Sequence, residues 1–269
     1  MEKAIGIFDS GIGGLTVAKA IQEICPNETL IYFGDTAHFP YGDKSKESIQ
    51  HYADAITQFL IEKNCKAIVI ACNTASAIAG NELRKKFGEI IPIFDVIVPV
   101  AEHVAQNYPD KNIGVIATKG TTNSRVYPKT INLISKNTKV NSLATPLLAP
   151  MIEEGFFNNN ISKTIIQAYL SKSNLKNIDA LVLACTHYPI IEKEITQLYA
   201  QNKKKISIIN SAKIVALSVQ KFLQNHNLEA KSKGVNEFFV SDFTSSFEKT
   251  TAIFFGEQVK LNIKDLWKK

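Results

Sequence analysis

Short apolar segments alternate with longer amphipathic segments along most of the chain. The apolar segments, which we predict to be strands, are residues 4–8, 29–33, 67–71, 91–96, 112–118, 180–184, 206–209 and 235–240. Helices are predicted over residues 15–25, 46–63, 74–87, 212–222 and 245–255, where apolar residues recur at helical spacing. Short apolar strands separated by helices are typical of parallel sheets that are covered on both faces. The pattern therefore predicts an α/β fold with mostly parallel sheets flanked by helices.

The strand pattern occurs twice. Residues 112–118 resemble residues 3–9, and residues 176–186 resemble residues 63–73, with a similar spacing between the two landmarks in each copy. Matched landmarks at similar spacing indicate an internal duplication, although βαβ units also resemble one another without any duplication. We therefore predict two pseudo-symmetric domains, with the active site in the cleft between them.

The borders of the two copies fall near residues 96–99 and near the charge-rich residues 203–205. We expect the chain beyond this second border to return to the first copy. The predicted first domain is thus residues 1–97 plus 206–269, and it carries Cys72. The predicted second domain, residues 98–205, is inserted between these two pieces and carries Cys185.

Composition limits the class of protein. The chain has 269 residues, of which 45% are hydrophobic and 21% charged, so it can bury a core and gross disorder is excluded. No apolar run approaches the roughly 18 residues of a membrane span, and the start of the chain lacks the pattern of a signal peptide. Four scattered cysteines without a Cys-x-x-Cys pair argue against a disulfide framework. We expect a cytoplasmic protein without a membrane partner.

The positive charge changes this interpretation little. The net charge is +6, but Arg84 and Arg125 are the only arginines in the sequence. Nucleic-acid interfaces are usually rich in guanidinium groups and clustered on one face. The short lysine clusters of this chain fit solvated helix ends and loops. We expect no nucleic-acid partner, and a mild attraction for anionic small molecules.

Cys72 and Cys185 hold the same place in the two copies. Each follows five apolar residues and precedes a segment that begins a helix. We therefore expect both thiols at the carboxyl end of a strand and beside a helix N-terminus, where open α/β sheets bind ligands. A helix N-terminus also lowers the pKa of a thiol. Cys25 and Cys65 lack this context and fit small buried core residues, an interpretation that also stays open for the other two.

Two equivalent thiols facing one cleft suit proton exchange at a stereocentre. One group removes a proton from one face of the carbon while the other donates a proton to the opposite face. Cys185 with His187 also suits a cysteine hydrolase or a related transferase. A non-catalytic binding protein with the same fold is a third hypothesis. A metal site would need more ligands than His187 supplies, so we expect no metal.

Three loops supply further candidate residues. Residues 9–14 form a glycine-rich turn whose amides suit a carboxylate, while Asp9 suits an ammonium group or assists a thiol; a purely structural turn is an equal alternative. This turn lacks the lysine of a Walker A loop and the glycine spacing of a dinucleotide site. Residues 34–42 form a loop rich in turn-forming residues. This loop fits either a binding segment or a plain connection between elements. Thr118, Thr121 and Thr122 suit helix caps or hydroxyl donors to an anion.

Five segments carry more specific motifs. They are FDSGIGGLTV at residues 8–17, GDT through PYG at 34–42, ACNTASA at 71–77, GVIAT with the following Thr121 at 114–121, and ACTHYP at 184–189. In this order they resemble the glutamate racemases, a family within the cofactor-independent aspartate/glutamate racemase superfamily. The resemblance implies interconversion of L- and D-glutamate without pyridoxal phosphate or any other cofactor. It further implies a supply of D-glutamate for bacterial peptidoglycan, and hence for cell-wall biogenesis and cell shape, and it implies a homodimer.

The motifs also imply roles for individual residues. The implied catalytic residues are Cys72, Cys185, Asp9 and His187, with Cys72 acting on D-glutamate and Cys185 on L-glutamate. The implied substrate-binding residues are Asp9, Ser10, Pro40, Tyr41, Gly42, Asn73, Thr74, Thr118, Thr121, Thr186 and His187. Glu153 is expected to close the cleft. Side-chain chemistry alone leaves aspartate open as a substrate, because one methylene is worth only about 1–3 kcal/mol of discrimination.

Overall fold

The computed structural model describes residues 2–202, 205–243 and 245–268, which form a six-stranded and a four-stranded β-sheet. The strands are β1 (Ile5–Asp9), β2 (Leu30–Gly34), β3 (Ala67–Ile70), β4 (Ile93–Asp95), β5 (Asn112–Ala117), β6 (Lys139–Ala144), β7 (Ala180–Ala184), β8 (Ser207–Asn210), β9 (Glu237–Val240) and β10 (Leu261–Ile263). The strand order is β10-β9-β2-β1-β3-β4 in the first sheet and β6-β5-β7-β8 in the second, and every pair is parallel.

Helices cover both sheets. They are α1 (Leu15–Ile24), α2 (Lys46–Glu62), α3 (Asn73–Phe87), α4 (Val98–Asn107), α5 (Lys119–Ser124), α6 (Val126–Ile134), α7 (Leu148–Glu153), α8 (Asn160–Leu170), α9 (Glu192–Gln201), α10 (Ser211–Asn225) and α11 (Ser245–Phe255). Every residue of β1, β3 and β7 is buried, because helices shield both faces of these central strands. The predicted α/β class is thereby confirmed. Within the described ranges, no helix combines the length and apolar character that crossing a membrane requires.

The two sheets share one topology. In the first sheet β1 lies between β2 and β3, with β4 beyond β3; in the second, β5 lies between β6 and β7, with β8 beyond β7. The strand ends correspond as well, since Phe8 pairs with Ile70 and Ala117 pairs with Ala184. Cys72 and Cys185 follow the equivalent strands β3 and β7. This correspondence supports the duplication predicted from the sequence.

The predicted domain border at residue 206 is wrong for one strand. We expected residues 206–209 to return to the first domain, but β8 pairs with β7 in the second sheet, with Leu181 opposite Ile208. The reason is the shared topology, because β8 completes the second sheet as β4 completes the first. The return to the first sheet occurs at β9 and β10, which extend it beyond β2. The border residues 203 and 204, and the terminal residues 1 and 269, lie outside the described residues.

One apolar core spans both sheets. Buried side chains of the first sheet, such as Val69, belong to the same cluster as Val182 of the second sheet and Val100 and Val215 of helices α4 and α10. A second cluster lies on the other face of the first sheet, beneath α2 and α3. Helix α10 packs against both α1 and α4, and α3, which follows β3, packs against α5, which follows β5. Side chains from both halves therefore meet at these strand ends.

Candidate active site

Cys72 lies just beyond the carboxyl end of β3 and forms the N-cap of α3. Its Sγ accepts a hydrogen bond from the backbone amide of Ala75 at 3.4 Å, and its thiol donates to Oγ of Ser10 at 3.7 Å. The side chain is buried, with a relative exposure of 5%. The predicted position beside a strand end and a helix N-terminus therefore matches the structure.

Cys185 occupies the equivalent position after β7 and is also buried, with a relative exposure of 6%. Its Sγ lies 3.7 Å from Nδ1 of His187. The segment that follows is a 3₁₀ turn, Tyr188–Ile191, with Pro189 near its start. The predicted helix is thus a single 3₁₀ turn leading into α9, and the contact with His187 distinguishes this cysteine from Cys72.

Side chains from the two halves meet in a shared polar cluster. Oγ1 of Thr74 lies 2.9 Å from Oγ1 of Thr118 and 3.4 Å from Oγ1 of Thr121. The hydroxyl of Tyr127 donates to Oδ1 of the predicted site residue Asn73 at 2.7 Å. The predicted residues after β3 and after β5 are therefore brought together in space.

A second polar contact joins the glycine-rich turn to the Cys185 segment. Oγ1 of Thr16 donates to the carbonyl of Thr186 at 2.9 Å. A Cβ added to Gly13 would lie 2.3 Å from Cε1 of His187, a distance at which something must shift. Glycine at position 13 is thus required for the close approach of the two halves, a role that the sequence left open.

Asp9 is fully buried at the base of the glycine-rich turn. Its Oδ2 accepts hydrogen bonds from the amides of Gly14 at 2.9 Å and Gly11 at 3.3 Å, so these amides hold Asp9 itself. The other oxygen, Oδ1, is buried and has no hydrogen-bond partner among the described residues. Burial raises the pKa of Asp9, while the positive charge of His187 acts in the opposite direction. An unpaired buried acceptor of this kind is suited to a ligand donor.

Glu153 makes a contact that the sequence did not predict. Its Oε1 lies 2.7 Å from Nε2 of His187, and its carboxylate is 16% exposed. Burial alone would lower the pKa of His187, but hydrogen bonds and charges of Cys185 and Glu153 outweigh it and raise this pKa to about 10. His187 is therefore a buried cation at neutral pH. Its Nδ1 faces Cys185 and its Nε2 faces Glu153.

The pKa of Cys72 differs from the prediction. We expected the helix N-terminus to lower it, and the hydrogen bonds from Ala75 and with Ser10 do act in that direction. Burial and the negative charge of Asp9 are stronger and raise the pKa to about 12. The charge of Cys185 raises it further, so the two sulfurs interact electrostatically across the cleft. Cys72 is thus a neutral thiol at physiological pH.

The two remaining cysteines lie away from this site. Burial is the main cause that raises the pKa of Cys25 to about 11 and that of Cys65 to about 12. Sγ of Cys65 would lie 3.1 Å from a Cβ added to Gly6, so it packs directly on β1. Both thiols are free core residues, as the sequence analysis expected.

The loop of residues 34–42 borders the same cleft. Tyr41 is buried, and its hydroxyl donates to Oδ2 of Asp35 at 2.7 Å. Gly42 approaches Thr118 of the second half, since an added Cβ would lie 3.0 Å from Cβ of Thr118. Pro40 is half-buried in the same loop. The predicted residues of this loop therefore face the predicted residues after β5.

The arrangement defines the chemistry that is possible here. Two thiols at equivalent strand ends are accompanied by a buried carboxylate, a buried imidazolium and a group of hydroxyls. Among the described residues, no group of three or more His, Cys, Asp or Glu side chains is placed to hold a metal ion. The site therefore combines proton donors and acceptors from both halves of the chain.

Comparison with known proteins defines the class. The family model of the Asp/Glu/Hydantoin racemases matches residues 5–219, and the chain belongs to this family of isomerases. It is 40% identical over 259 residues to the glutamate racemase of a Thermoanaerobacter species, covering 96% of this chain and 95% of that one. It is 37% identical over 265 residues to glutamate racemases of Neisseria meningitidis, covering 97% and 96%.

Solved structures show the same relationship. A glutamate racemase from Francisella tularensis in complex with D-glutamate has 38% identity and a TM-score of 0.91, covering 99% of this chain and 98% of that one. A Bacillus anthracis glutamate racemase isoform has 34% identity and a TM-score of 0.92, covering 99% of both chains. The family predicted from the five motifs is confirmed.

Proposed function

We propose that the protein interconverts L- and D-glutamate by a two-base mechanism that uses Cys72 and Cys185 and no cofactor. The observation that carries the proposal is the equivalent placement of these two cysteines, each just beyond the carboxyl end of a matching strand, β3 or β7. Glutamate as the substrate is supported by the names of the relatives, including one solved with D-glutamate bound. The same hypothesis includes a homodimer, a cytoplasmic location and a role in supplying D-glutamate for peptidoglycan.

The proton balance of the reaction is simple. For L-glutamate, the Cys185 thiolate takes the α-proton, and the S–H bond of Cys72 breaks as its proton adds to the opposite face of the α-carbon. The product is D-glutamate, with Cys185 now a thiol and Cys72 a thiolate. The reverse direction begins from this second state, with Cys72 acting as the base on D-glutamate.

The charges around the two thiols of the free protein differ. Nδ1 of the cationic His187 lies 3.7 Å from Sγ of Cys185. Burial and the negative charge of Asp9 keep Cys72 neutral, since they raise its pKa to about 12. In this hypothesis Cys72 is the proton donor when the free protein meets L-glutamate.

Polar groups around the thiols suit an amino-acid substrate. The unpaired Oδ1 of Asp9 is an acceptor for the substrate ammonium group, and the hydroxyls of Thr74, Thr118 and Thr121 are donors to a carboxylate. The remaining substrate contacts are proposed for Ser10, Pro40, Tyr41, Gly42, Asn73, Thr186 and His187. Substrate access requires the two halves to separate, because both thiols are less than a tenth exposed.

The proximity of Cys185 to His187 also favours a second candidate, a cysteine hydrolase or transferase. That mechanism needs one thiol only. It predicts that Cys72→Ala keeps activity and that an acyl group can be trapped on Cys185. The two-base mechanism predicts loss of racemisation in both single variants.

The test is incubation with L-glutamate, and in parallel L-aspartate, in D₂O without added cofactor. Loss of optical activity with α-deuterium uptake from glutamate is the expected result. Cys25→Ala is the matched control, because this thiol is buried outside the site, and it should keep its activity. A folded wild-type protein that neither racemises glutamate nor exchanges its α-proton would contradict the proposed function. Faster turnover of aspartate would contradict the substrate.

A further inference from the structure

Trp267 lies against the loop that carries Tyr41. Trp267 is the only tryptophan of the sequence, and it follows β10 in the chain. The centroid of its ring is 4.8 Å from that of His38 and 5.2 Å from that of Tyr52, both in edge-to-face geometry. Aromatic pairs at these distances contribute specific orientation as well as buried area.

His38 connects this aromatic group to the loop. Its ring stacks on Tyr52 at 3.9 Å with an interplanar angle of 13°, so Tyr52 and Trp267 enclose two sides of the imidazole. Nδ1 of His38 lies 3.0 Å from both carboxylate oxygens of Asp35. Asp35 is fully buried and also accepts hydrogen bonds from Tyr41 and Ser241, at 2.7 Å each. The contacts therefore run without a gap from Trp267 to Tyr41.

The residue after His38 points the other way. The ring of Phe39 would lie 3.0 Å from a Cβ on Gly11, and its centroid is 5.9 Å from that of His187. One short loop thus contacts Trp267 through His38 and the candidate active site through Phe39 and Tyr41. A change in the position of His38 would shift Phe39 and Tyr41, the two loop residues that border the site.

The segment carrying Trp267 is itself well anchored. The amides of Trp267 and Lys268 donate to Oδ1 of Asp265, at 2.8 and 3.2 Å, and Leu266 packs on the apolar cluster beneath α2. The indole Nε1 is buried without a hydrogen-bond partner among the described residues. Since an unpaired buried N–H is unfavourable, hydrogen bonding of the indole does not explain its position. Its ring packs on the same apolar cluster and contacts His38 of the loop and His51 and Tyr52 of α2.

We propose that Trp267 is a positioning residue for the racemase site, holding His38 against Tyr52 so that Asp35 and Tyr41 keep the loop in its substrate-binding position. This inference rests on the proposed function, because glutamate is the ligand that the loop would meet. A loop that is already ordered loses less conformational entropy when substrate binds. Removing the contact between Trp267 and His38 should therefore weaken substrate binding more than it slows proton transfer.

The test is steady-state racemisation of glutamate by Trp267→Ala, with His38→Ala and the double variant. We expect each single change to raise KM about fivefold to tenfold with kcat within about twofold, and the double variant to add little, since both remove one contact. Trp267→Phe should restore most of the wild-type KM, because a ring remains and the unpaired N–H is gone. Ile263→Ala is the control in the same segment, since this side chain is 65% exposed.

Each outcome decides a separate claim. A KM within twofold of wild type in folded Trp267→Ala and His38→Ala would overturn the positioning role while leaving the proposed function intact. Additive effects in the double variant, or no recovery in Trp267→Phe, would overturn it too. If Trp267→Ala does not fold, His38→Ala carries the test, as His38 lies in a surface loop with 23% of its side chain exposed. A wild-type protein inactive on glutamate would instead refute the proposed function.

Discussion

The carboxylate of Glu153 accepts a hydrogen bond from the imidazole of His187 at 2.7 Å. The two residues come from α7 and from the segment after β7, so only the tertiary fold brings them together. The other ring nitrogen faces Cys185 at 3.7 Å. Glu153 thus holds a positive charge next to one of the two candidate bases.

Replacing Glu153 by glutamine keeps the shape of the side chain and removes its charge. The pKa of His187, about 10 in the wild type, should fall, because Glu153 is one of the groups that raise it. His187 then loses its proton at a lower pH, so the alkaline limb of kcat/KM should move to lower pH. We expect activity at neutral pH to fall about tenfold to a hundredfold. The pH–rate profile checks this, and an unmoved alkaline limb would contradict the role of Glu153.

Single replacements of the two cysteines should have opposite effects on the two enantiomers. Cys72→Ala should still exchange the α-proton of L-glutamate in D₂O, because Cys185 remains as the base on that face. Cys185→Ala should exchange D-glutamate only, and racemisation should fall by about a thousandfold or more in both. Proton NMR of each enantiomer measures the exchange. Equal exchange of both enantiomers by either variant would rule out the assignment of faces.

Gly13→Ala tests the contact between the glycine-rich turn and His187. The added methyl would lie 2.3 Å from the imidazole, so His187 or the turn must move and activity should fall about a hundredfold. Gly80→Ala in α3 is the matched control, since its added Cβ would have no neighbour closer than 3.7 Å. That control should keep its activity and gain about 0.5–1 kcal/mol in free energy of unfolding. Full activity in Gly13→Ala would show that this approach is unimportant.

Asp9→Asn should make Cys72 easier to ionise. Asp9 is, after burial, the strongest influence that raises the pKa of Cys72 to about 12, so this pKa should fall in the variant. Alkylation of the Cys72 peptide by iodoacetamide, followed by mass spectrometry as pH rises, should begin at lower pH than in the wild type. The exposed Asp43→Asn serves as the control. An unchanged alkylation profile would mean that Asp9 does not act on this thiol.

The sequence predicted the central strands and the placement of the two cysteines for a clear physical reason. Fully buried strands such as β3 and β7 are continuous apolar runs, and the residues after them begin helices. Both signals are local in the chain. Strand β6, Lys139–Ala144, was missed because it is an edge strand whose polar and apolar residues are partly exposed. Strand β8 was detected but assigned to the wrong sheet, since its apolar run does not specify its partner.

Other features of the site depend on contacts between residues that are far apart in the chain, and local sequence patterns do not predict such contacts. The contact of Glu153 with His187 joins residues 34 positions apart. The pKa of Cys72 is raised by burial and by the carboxylate of Asp9 from another strand, against the hydrogen bonds with the Ala75 amide and Ser10. A helix N-terminus can be predicted from capping residues, but the burial of Cys72 in the folded protein cannot. The sequence therefore predicted which residues lie near one another at the candidate site, but not the raised pKa of Cys72.

The most direct test of the two-base mechanism is the position of deuterium during the first turnovers of L-glutamate in D₂O. The mechanism predicts that the D-glutamate formed early carries α-deuterium while the recovered L-glutamate keeps its α-hydrogen, because the proton is delivered by a second group on the opposite face. Early D-glutamate that retains the original α-hydrogen would mean that one group removes and returns the same proton, and would contradict the mechanism.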